Sequence, residues 1–547
     1  MRDYHLSFLG RYKWQNILYG VLALAVVGLA CFTRLTNIYS RTQWFDDSAR
    51  DIMIAKRINE DGKFSTVRPL ANASGGVLKN SYVYYNALAV LWSFGHDKMS
   101  VILGFTVLGL LSLLAGWEIG RQVGGKWLGL VCLFALAVNV TLSQFQLSVY
   151  QRNTLPSLSL VVVMLGIWAW NCVSLRRAVL LLLTFTFGVL LHYSLLTMLP
   201  AVLVVTGWVF IKNQAPVAKK LLVLGLAGVA CVSLWLVTTS GSISDFVVYQ
   251  QETLTAKRIS GLDQIWGFHL SLFYAFFQSV YLYTLLSKWM PIVLMVSWGV
   301  GATLILKKRT NAPFMVYFLF FSTYFLPHLL FPTSKTFPFG FDYMPHYQSL
   351  ALLLIPLVLF EVLKKWNLGA RILSLEVFCI LLLVLEIPAL RMVLQPSAFF
   401  QELAAAEWIT HSIEKDFQQQ KEIHGFQRFV LTDFTSWADP GWFLPPFLLF
   451  LEESHGRSYS VLRPDGNNLQ YTFDYPADVT YLICNKIVVG YFFDDSPAVA
   501  EEKCLKPFLE EHLADYMNQT PDQLDAQLLI NSADNTLKAN VFRISPK

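Results

Sequence analysis

Charge is what this sequence has least of. Asp, Glu, Lys and Arg make up 14% of its 547 residues, against about 25% in an ordinary soluble domain. That shortage excludes an ordinary water-soluble globular chain, and equally a disordered one, which needs high charge and few apolar groups. Familiar chemical motifs are missing too. There is no CxxC, no HExxH, no His/Cys cluster at zinc spacing and no glycine-rich phosphate loop ahead of a helix. No repeat and no low-complexity segment is present. The formal charge of +5 comes from basic residues in short loops, with no basic stripe carrying interleaved aromatics, so a nucleic-acid partner is not expected.

What is present is apolar: 55% of residues are hydrophobic. They fall into runs long enough to cross a bilayer, which takes about 20 residues. Eleven such runs are expected, near 17–33, 99–119, 127–145, 157–174, 178–194, 197–211, 220–238, 289–306, 313–331, 346–363 and 372–390. The stretch 265–286 reads as a twelfth span or as an interfacial helix with an aromatic belt. Segment 82–94 is too short to cross and reads as interfacial. Arg11 and Lys13, Arg121 and Lys126, Arg176 and Arg177, Lys212 to Lys220, Lys307 to Arg309, and Lys364 to Arg371 occupy every second loop. Positive loops stay in the cytoplasm. The reading is therefore an integral protein of a plasma or inner membrane, with its N-terminus cytoplasmic and its C-terminus outside. The first apolar run, followed by Arg34 and lacking a small-residue cleavage site, reads as an uncleaved anchor.

The fold class expected is a mainly α polytopic membrane protein over 1–390, whose first outer loop is 34–98, followed by a small extracytoplasmic α/β domain over 391–547. In that tail RFVLTDFTSW (428–437), SYSVLRP (458–464) and YLICNKIVVGYFF (481–493) read as strand material, and PPFLLFLEESHGR (445–457) as a helix. Five of the seven cysteines lie in expected spans; Cys484 and Cys504 lie in the tail, where a disulfide is allowed.

The most informative stretch is WFDDSARD (44–51). It places Asp46 and Asp47 about a dozen residues beyond the first span. Behind them Ile52, Met53, Ala55 and Ile58 recur at helical spacing among Arg50, Lys56 and Arg57, an amphipathic helix suited to the membrane surface. Two carboxylates opening such a helix can cap it and meet its dipole. They can also supply a general base, since apolar surroundings raise a carboxyl pKa toward neutrality. The pair alone does not decide between these.

The wider pattern resembles the GT-C superfamily of polyprenol-dependent glycosyltransferases, and within it the protein O-mannosyltransferase and aminoarabinose-transferase branch. Asp46-Asp47 occupies the place where that family opens its first outer loop with an Asp followed by an acid. In LKNSYVYYNALAVLWSFG (78–95) Lys79 matches the family's lysine, while Asn80 and Ser81 replace its prolines and Leu78 replaces an acid. GWEIGRQVGGKWLGL (116–130) resembles its cytoplasmic Arg-Gly turn. SQFQLSVYQRNTLPSLSL (143–160) falls where the family carries an acid and an arginine; here Gln151 and Arg152 stand. LLHYSLLTMLPAVL (190–203) resembles its His-Tyr outer turn through His192 and Tyr193. FDYMPHYQSLALLLIPL (341–357) resembles a late span start, with Tyr343 in place and Asp342 where an arginine is usual. The resemblance runs over about 15–390.

It implies an inverting membrane glycosyltransferase. The donor would be a sugar on a polyprenyl phosphate and the acceptor a hydroxyl of a lipid, glycan or protein, with membrane lipid around both. Asp46, with Asp47 beside it, would carry the catalysis. Lys79, Arg152 and Lys335 would bind the donor phosphate, and His192, Tyr193 and Tyr343 are further site candidates. Each has a plainer reading as a snorkelling, belt or solvated residue. No cofactor is implied; a divalent metal is compatible but no set of ligands calls for one. Three alternatives stay open: a transporter or flippase, a lipid-glycan ligase or polymerase using a diphosphate donor, and an inactive lipid-glycan-binding protein. Few ionisable residues lie within the expected spans, Glu118, Glu361 and Glu386 being near span ends, and no interrupted, inverted repeat is visible.

Overall fold

The computed structural model describes residues 2–42, 46–62, 82–239, 288–330, 348–366, 368–394, 402–433, 478–485, 496–511, 520–534 and 539–547. The stretch 265–286, the expected helix 445–457 and the expected strand 458–464 lie outside them.

The chain begins with α1 (Arg2–Leu35), α2 (Ile38–Arg41), α3 (Asp46–Asp61) and α4 (Tyr82–Trp92). Then follow α5 (Lys98–Gly124), α6 (Lys126–Val138), α7 (Val140–Leu147), α8 (Leu155–Cys172), α9 (Leu175–Leu191), α10 (Leu199–Lys212) and α11 (Val217–Thr239). After these come α12 (Met290–Leu306), α13 (Ala312–Leu330), α14 (Gln348–Val362) and α15 (Leu368–Leu394). A helix stands at each of the eleven expected stretches. Among the described residues six are long and apolar enough to cross a membrane, and the bent pair α6–α7 makes a seventh. Their outer faces are apolar: on α11, Leu221, Leu222, Leu226, Val229 and Val232 are exposed. A row of that kind belongs in lipid, since soluble monomers rarely expose one. The chain is a polytopic integral membrane protein.

Tyrosines and small residues let the helices close on one another. Gly129 of α6 lies so near α5 that an added Cβ would come within 2.7 Å of the Trp117 carbonyl oxygen. Gly125 turns the chain between them with φ +84, a conformation glycine takes without steric cost. Leu136, Ile119, Leu160, Tyr317, Leu350 and Leu354 are fully buried in the bundle core.

One span is interrupted, which the sequence did not lead us to expect. Helices α6 and α7 meet at Asn139 with a bend of 64°. Neither glycine nor proline marks the break. Asn139 makes it by capping: its Oδ1 accepts from the Leu142 N–H at 2.7 Å, while its amide donates to Glu386 of α15 at 2.8 Å. The break frees carbonyls at the end of α6. Arg34 answers them, donating to the Leu136 and Ala137 carbonyls at 3.1 and 3.4 Å and to Gln146 Oε1 at 2.8 Å. Arg34 is fully buried, so it acts as an internal strap and not as a charge flanking the span. Truncating it would take the donor from the Leu136 carbonyl and Gln146 Oε1, leaving the Ala137 carbonyl to Thr33 Oγ1 alone. Arg34→Ala is expected to cost about 3 kcal/mol, read as a lowered midpoint in thermal unfolding in detergent.

Beyond α15 the structure holds α16 (Glu402–His424), β1 (Phe429–Asp433), β2 (Val479–Asn485), α17 (Lys506–Glu511), β3 (Leu524–Ile530) and β4 (Ala539–Pro546). The sheet order is β1-β2-β4-β3, with β1 and β2 parallel and the other pairs antiparallel. Alternation along the strands covers both faces. Phe429, Leu431, Tyr481 and Val541 pack toward α16, through Ile409, Ile413 and Phe417. Val430, Leu482, Phe542 and Ile544 pack toward α17 and the turn before it, through Cys504, Leu505 and Phe508. On that second face Cys484 and Cys504 form a disulfide.

The sheet holds α16 by a buried polar group. Asp416 of α16 accepts from the Tyr481 hydroxyl at 2.8 Å and from Arg543 at 2.8 Å. Burial first, and then the Asp416 charge, push the Tyr481 phenol well above its ordinary range. A pKa raised in the folded state means the folded form holds its proton more firmly. The stabilisation is therefore complete below the unfolded value of about 10 and lost as pH climbs above it. Alkaline unfolding of this region is expected to set in above about pH 10, and Tyr481→Phe is expected to flatten that decline; a pH series of thermal melts checks it.

Candidate active site

Helix α3 carries the acid pair. Asp46 and Asp47 are its first two residues, where negative charge meets the helix dipole. Ser48, Asp51, Ile52, Met53, Ile54 and Ala55 are all buried. Ile52, Met53, Ile54 and Ala55 join Tyr84, Tyr85 and Trp92 of α4 and Val101, Ile102 and Phe105 of α5 in one apolar core. The apolar stripe expected of this amphipathic helix packs on protein, where α4 offers a tyrosine-rich face. Asp51 is a carboxylate that sequence reasoning passed over. It is 1% exposed and stands one turn after Asp47. A signal existed, since Asp51 falls in the stripe that runs Ser48, Asp51, Ile52, Ala55, Ile58 at helical spacing.

The other expected site residues are distributed as follows. Arg152 sits in the 3-10 turn Gln151–Thr154, half-buried, its guanidinium 5.3 Å from the centre of the Tyr150 ring. Gln151 before it is buried and donates to the Leu191 carbonyl, so the turn after α7 is bonded directly to the end of α9. His192 follows there. It is buried, and its Nδ1 accepts from the Ser194 N–H at 3.2 Å, capping the 3-10 segment Tyr193–Met198. Of Tyr193 only the backbone is described. Val149 and Leu191 enter the same core as α3 and α4. The structure thus gathers the elements bearing Asp46, Asp47, Arg152 and His192 around one apolar centre. Lys79, Lys335 and Tyr343 lie outside the described residues.

Arg41 is a second group the sequence did not single out. It ends α2, is fully buried, and donates to the Thr33 and Thr36 carbonyls at 2.8 and 3.1 Å and to Ser143 Oγ at 3.3 Å. Burial pushes its guanidinium down to about 10, which leaves it charged at neutral pH. Among the described residues neither Arg34 nor Arg41 forms an ion pair with a carboxylate. Two buried cations met only by neutral oxygens leave local positive potential, a setting in which an anionic group is favoured. Among the described residues no group of three His, Cys, Asp or Glu side chains is placed to hold a metal ion.

No protein-family model matches this sequence, and no curated protein is significantly similar to it. Solved structures are similar in fold. The crystal structure of ArnT from Cupriavidus metallidurans bound to undecaprenyl phosphate superposes with a TM-score of 0.51 at 13% identity, covering 97% of this chain and 98% of that one. An oligosaccharyltransferase from Archaeoglobus fulgidus, in the apo form, gives 0.48 at 11% identity, covering 82% of this chain and 65% of that one. Arabinosyltransferase EmbB from Mycobacterium smegmatis gives 0.41 at 13% identity, covering 62% and 30%. This chain therefore spans about two thirds of the oligosaccharyltransferase and under a third of EmbB. The match to ArnT runs end to end. The chain has the GT-C fold that the order of its motifs leads one to expect.

Proposed function

We propose that the protein is a membrane glycosyltransferase. It takes a sugar from a polyprenyl-phosphate donor and passes it, with inversion, to a hydroxyl of a lipid, glycan or protein at the outer face. One observation carries this reading: from end to end the chain shares its fold with ArnT, whose structure holds undecaprenyl phosphate. The acid pair at the start of α3 and the buried cations Arg34 and Arg41, met only by neutral oxygens, support the same conclusion.

In this reading Asp46 takes the acceptor proton as the acceptor oxygen bonds to the anomeric carbon. The bond from that carbon to the phosphate oxygen breaks in the same step, and the polyprenyl phosphate leaves with the electron pair. One base suffices, with no nucleophile, unlike the paired carboxylates of a retaining hydrolase. Asp47 assists Asp46. Lys79, Arg152 and Lys335 stabilise the charge growing on the phosphate, with Arg41 adding to the local potential; His192, Tyr193 and Tyr343 are further candidates for contact with the reacting groups. We place the division between the membrane part and the C-terminal α/β domain after α15. The latter stands outside, where an oxidising compartment permits the bond between Cys484 and Cys504.

The test is a transfer assay. Purified protein in detergent receives labelled polyprenyl-phosphate hexoses and pentoses with a membrane-glycan extract. Transfer from one of these donors is expected; folded protein that releases sugar from none of them would overturn the proposal.

A further inference from the structure

The short helix α2 is held from two sides. From the membrane side, Arg41 binds the last carbonyls of α1 and Ser143 of α7. Gln144 of α7 donates to the Arg41 carbonyl. Asn37, at φ 53, anchors the start of α2 through a 3.0 Å bond to the Val393 carbonyl of α15. From the C-terminal side, α16 packs along α2. The Tyr39 hydroxyl donates to Glu407 Oε2 of α16, and Ile38 and Tyr39 pack against the core that holds Ala405, Ala406 and Ile409 of α16. The same core continues into Ile52, Met53 and Ile54 of α3. Helix α16 is in turn fixed to the sheet by Asp416, Tyr481 and Arg543.

The consequence lies in the spacing. Five peptide steps separate Arg41 from Asp46, a reach of at most about 18 Å when fully extended. That short tether and the core that Ile38 and Tyr39 share with Ile52, Met53 and Ile54 couple a shift of α2 to α3. We infer that α16 and α2 form a joint through which the C-terminal domain sets the position of α3, making Tyr39 and Glu407 positioning residues for the acid pair. The inference rests on the glycosyltransferase reading for its catalytic consequence, but its mechanical part does not. A C-terminal domain that merely covered the site would need no bonded contact to the helix that leads into the acids. Positional errors near 1 Å at a reacting group cost up to about 100-fold in rate.

The experiment uses the full-length protein in detergent with Tyr39→Phe, Glu407→Leu and the double variant. Tyr39→Phe removes the donor and Glu407→Leu the acceptor, each with a side chain of similar size. Amide exchange over 46–61 is expected to quicken in both single variants. In the transfer assay kcat is expected to fall about 5–20-fold with the donor KM within about twofold. The double variant is expected to be no worse than either single one, as for two partners of one contact. Thermal melts that match wild type would separate this from loss of folding. Unchanged exchange over α3, or an unchanged kcat, overturns the joint. If wild-type protein transfers no sugar, the function proposed above fails, and the exchange result alone decides whether α16 positions α3.

Discussion

Asp46→Asn is expected to lower sugar transfer by about 10²–10⁴-fold, the usual worth of a general base, with little change in donor KM. Asparagine keeps the shape of the side chain and remains a good residue for a helix start. What it cannot do is accept the acceptor hydroxyl's proton. The cost to stability is confined to one charge at the α3 N-terminus, about 0.3–1 kcal/mol. The two roles of the acid pair thus separate in one variant. If Asp46 were only a cap, the melt would move slightly and transfer would persist. If it is the base, transfer collapses while the melt barely moves. Asp47→Asn in the same assay is expected to fall less, because one base suffices for a single inverting step. Full transfer by Asp46→Asn protein would remove the catalytic assignment.

Loss of the disulfide has the second largest expected effect. Cys484 and Cys504 close a loop with a separation of 20, and both are fully buried among Val430, Leu482, Phe508 and Ile544. Opening a loop of that size releases about 3 kcal/mol of unfolded-state entropy. In a unit of about 150 residues this corresponds to a fall in Tm of about 6–12 °C. The double variant Cys484→Ala, Cys504→Ala avoids leaving a buried hydroxyl, so its loss reports the crosslink. Thermal unfolding of wild type with and without reductant, beside that variant, measures it. Equal melting of reduced and oxidised protein would show that the bond contributes nothing.

Much of the architecture was legible because hydrophobic length is a local property. A run such as 99–119 declares a helix without reference to any partner, and α5 stands there. The aspartates at 46 and 47 likewise announced a helix start, and α3 begins on them. Strand signals were weaker. VLTD and YLICN, rich in branched and aromatic residues, were read correctly, but LDAQLLI and ANVFRISP were passed over. Those two segments lack a clear apolar-polar alternation, and the pairing of β3 with β4 supplies what local propensity does not.

The sequence by itself determined that this protein is a polytopic membrane chain, where its helices run and that an acid pair opens the first outer loop. Tertiary structure alone decided the rest: that Arg34 and Arg41 turn inward to bind freed carbonyls, that α6–α7 bends at Asn139, that α3 faces protein, that Asp51 is buried, and that α16 bears on α2. The physical reason is range. Burial in a helix is encoded by neighbours three and four residues away, but the partner of a buried charge or a capped break, such as Ala137 for Arg34 or Glu386 for Asn139, comes from a segment a hundred residues or more distant. Local periodicity carries no record of which segment that will be.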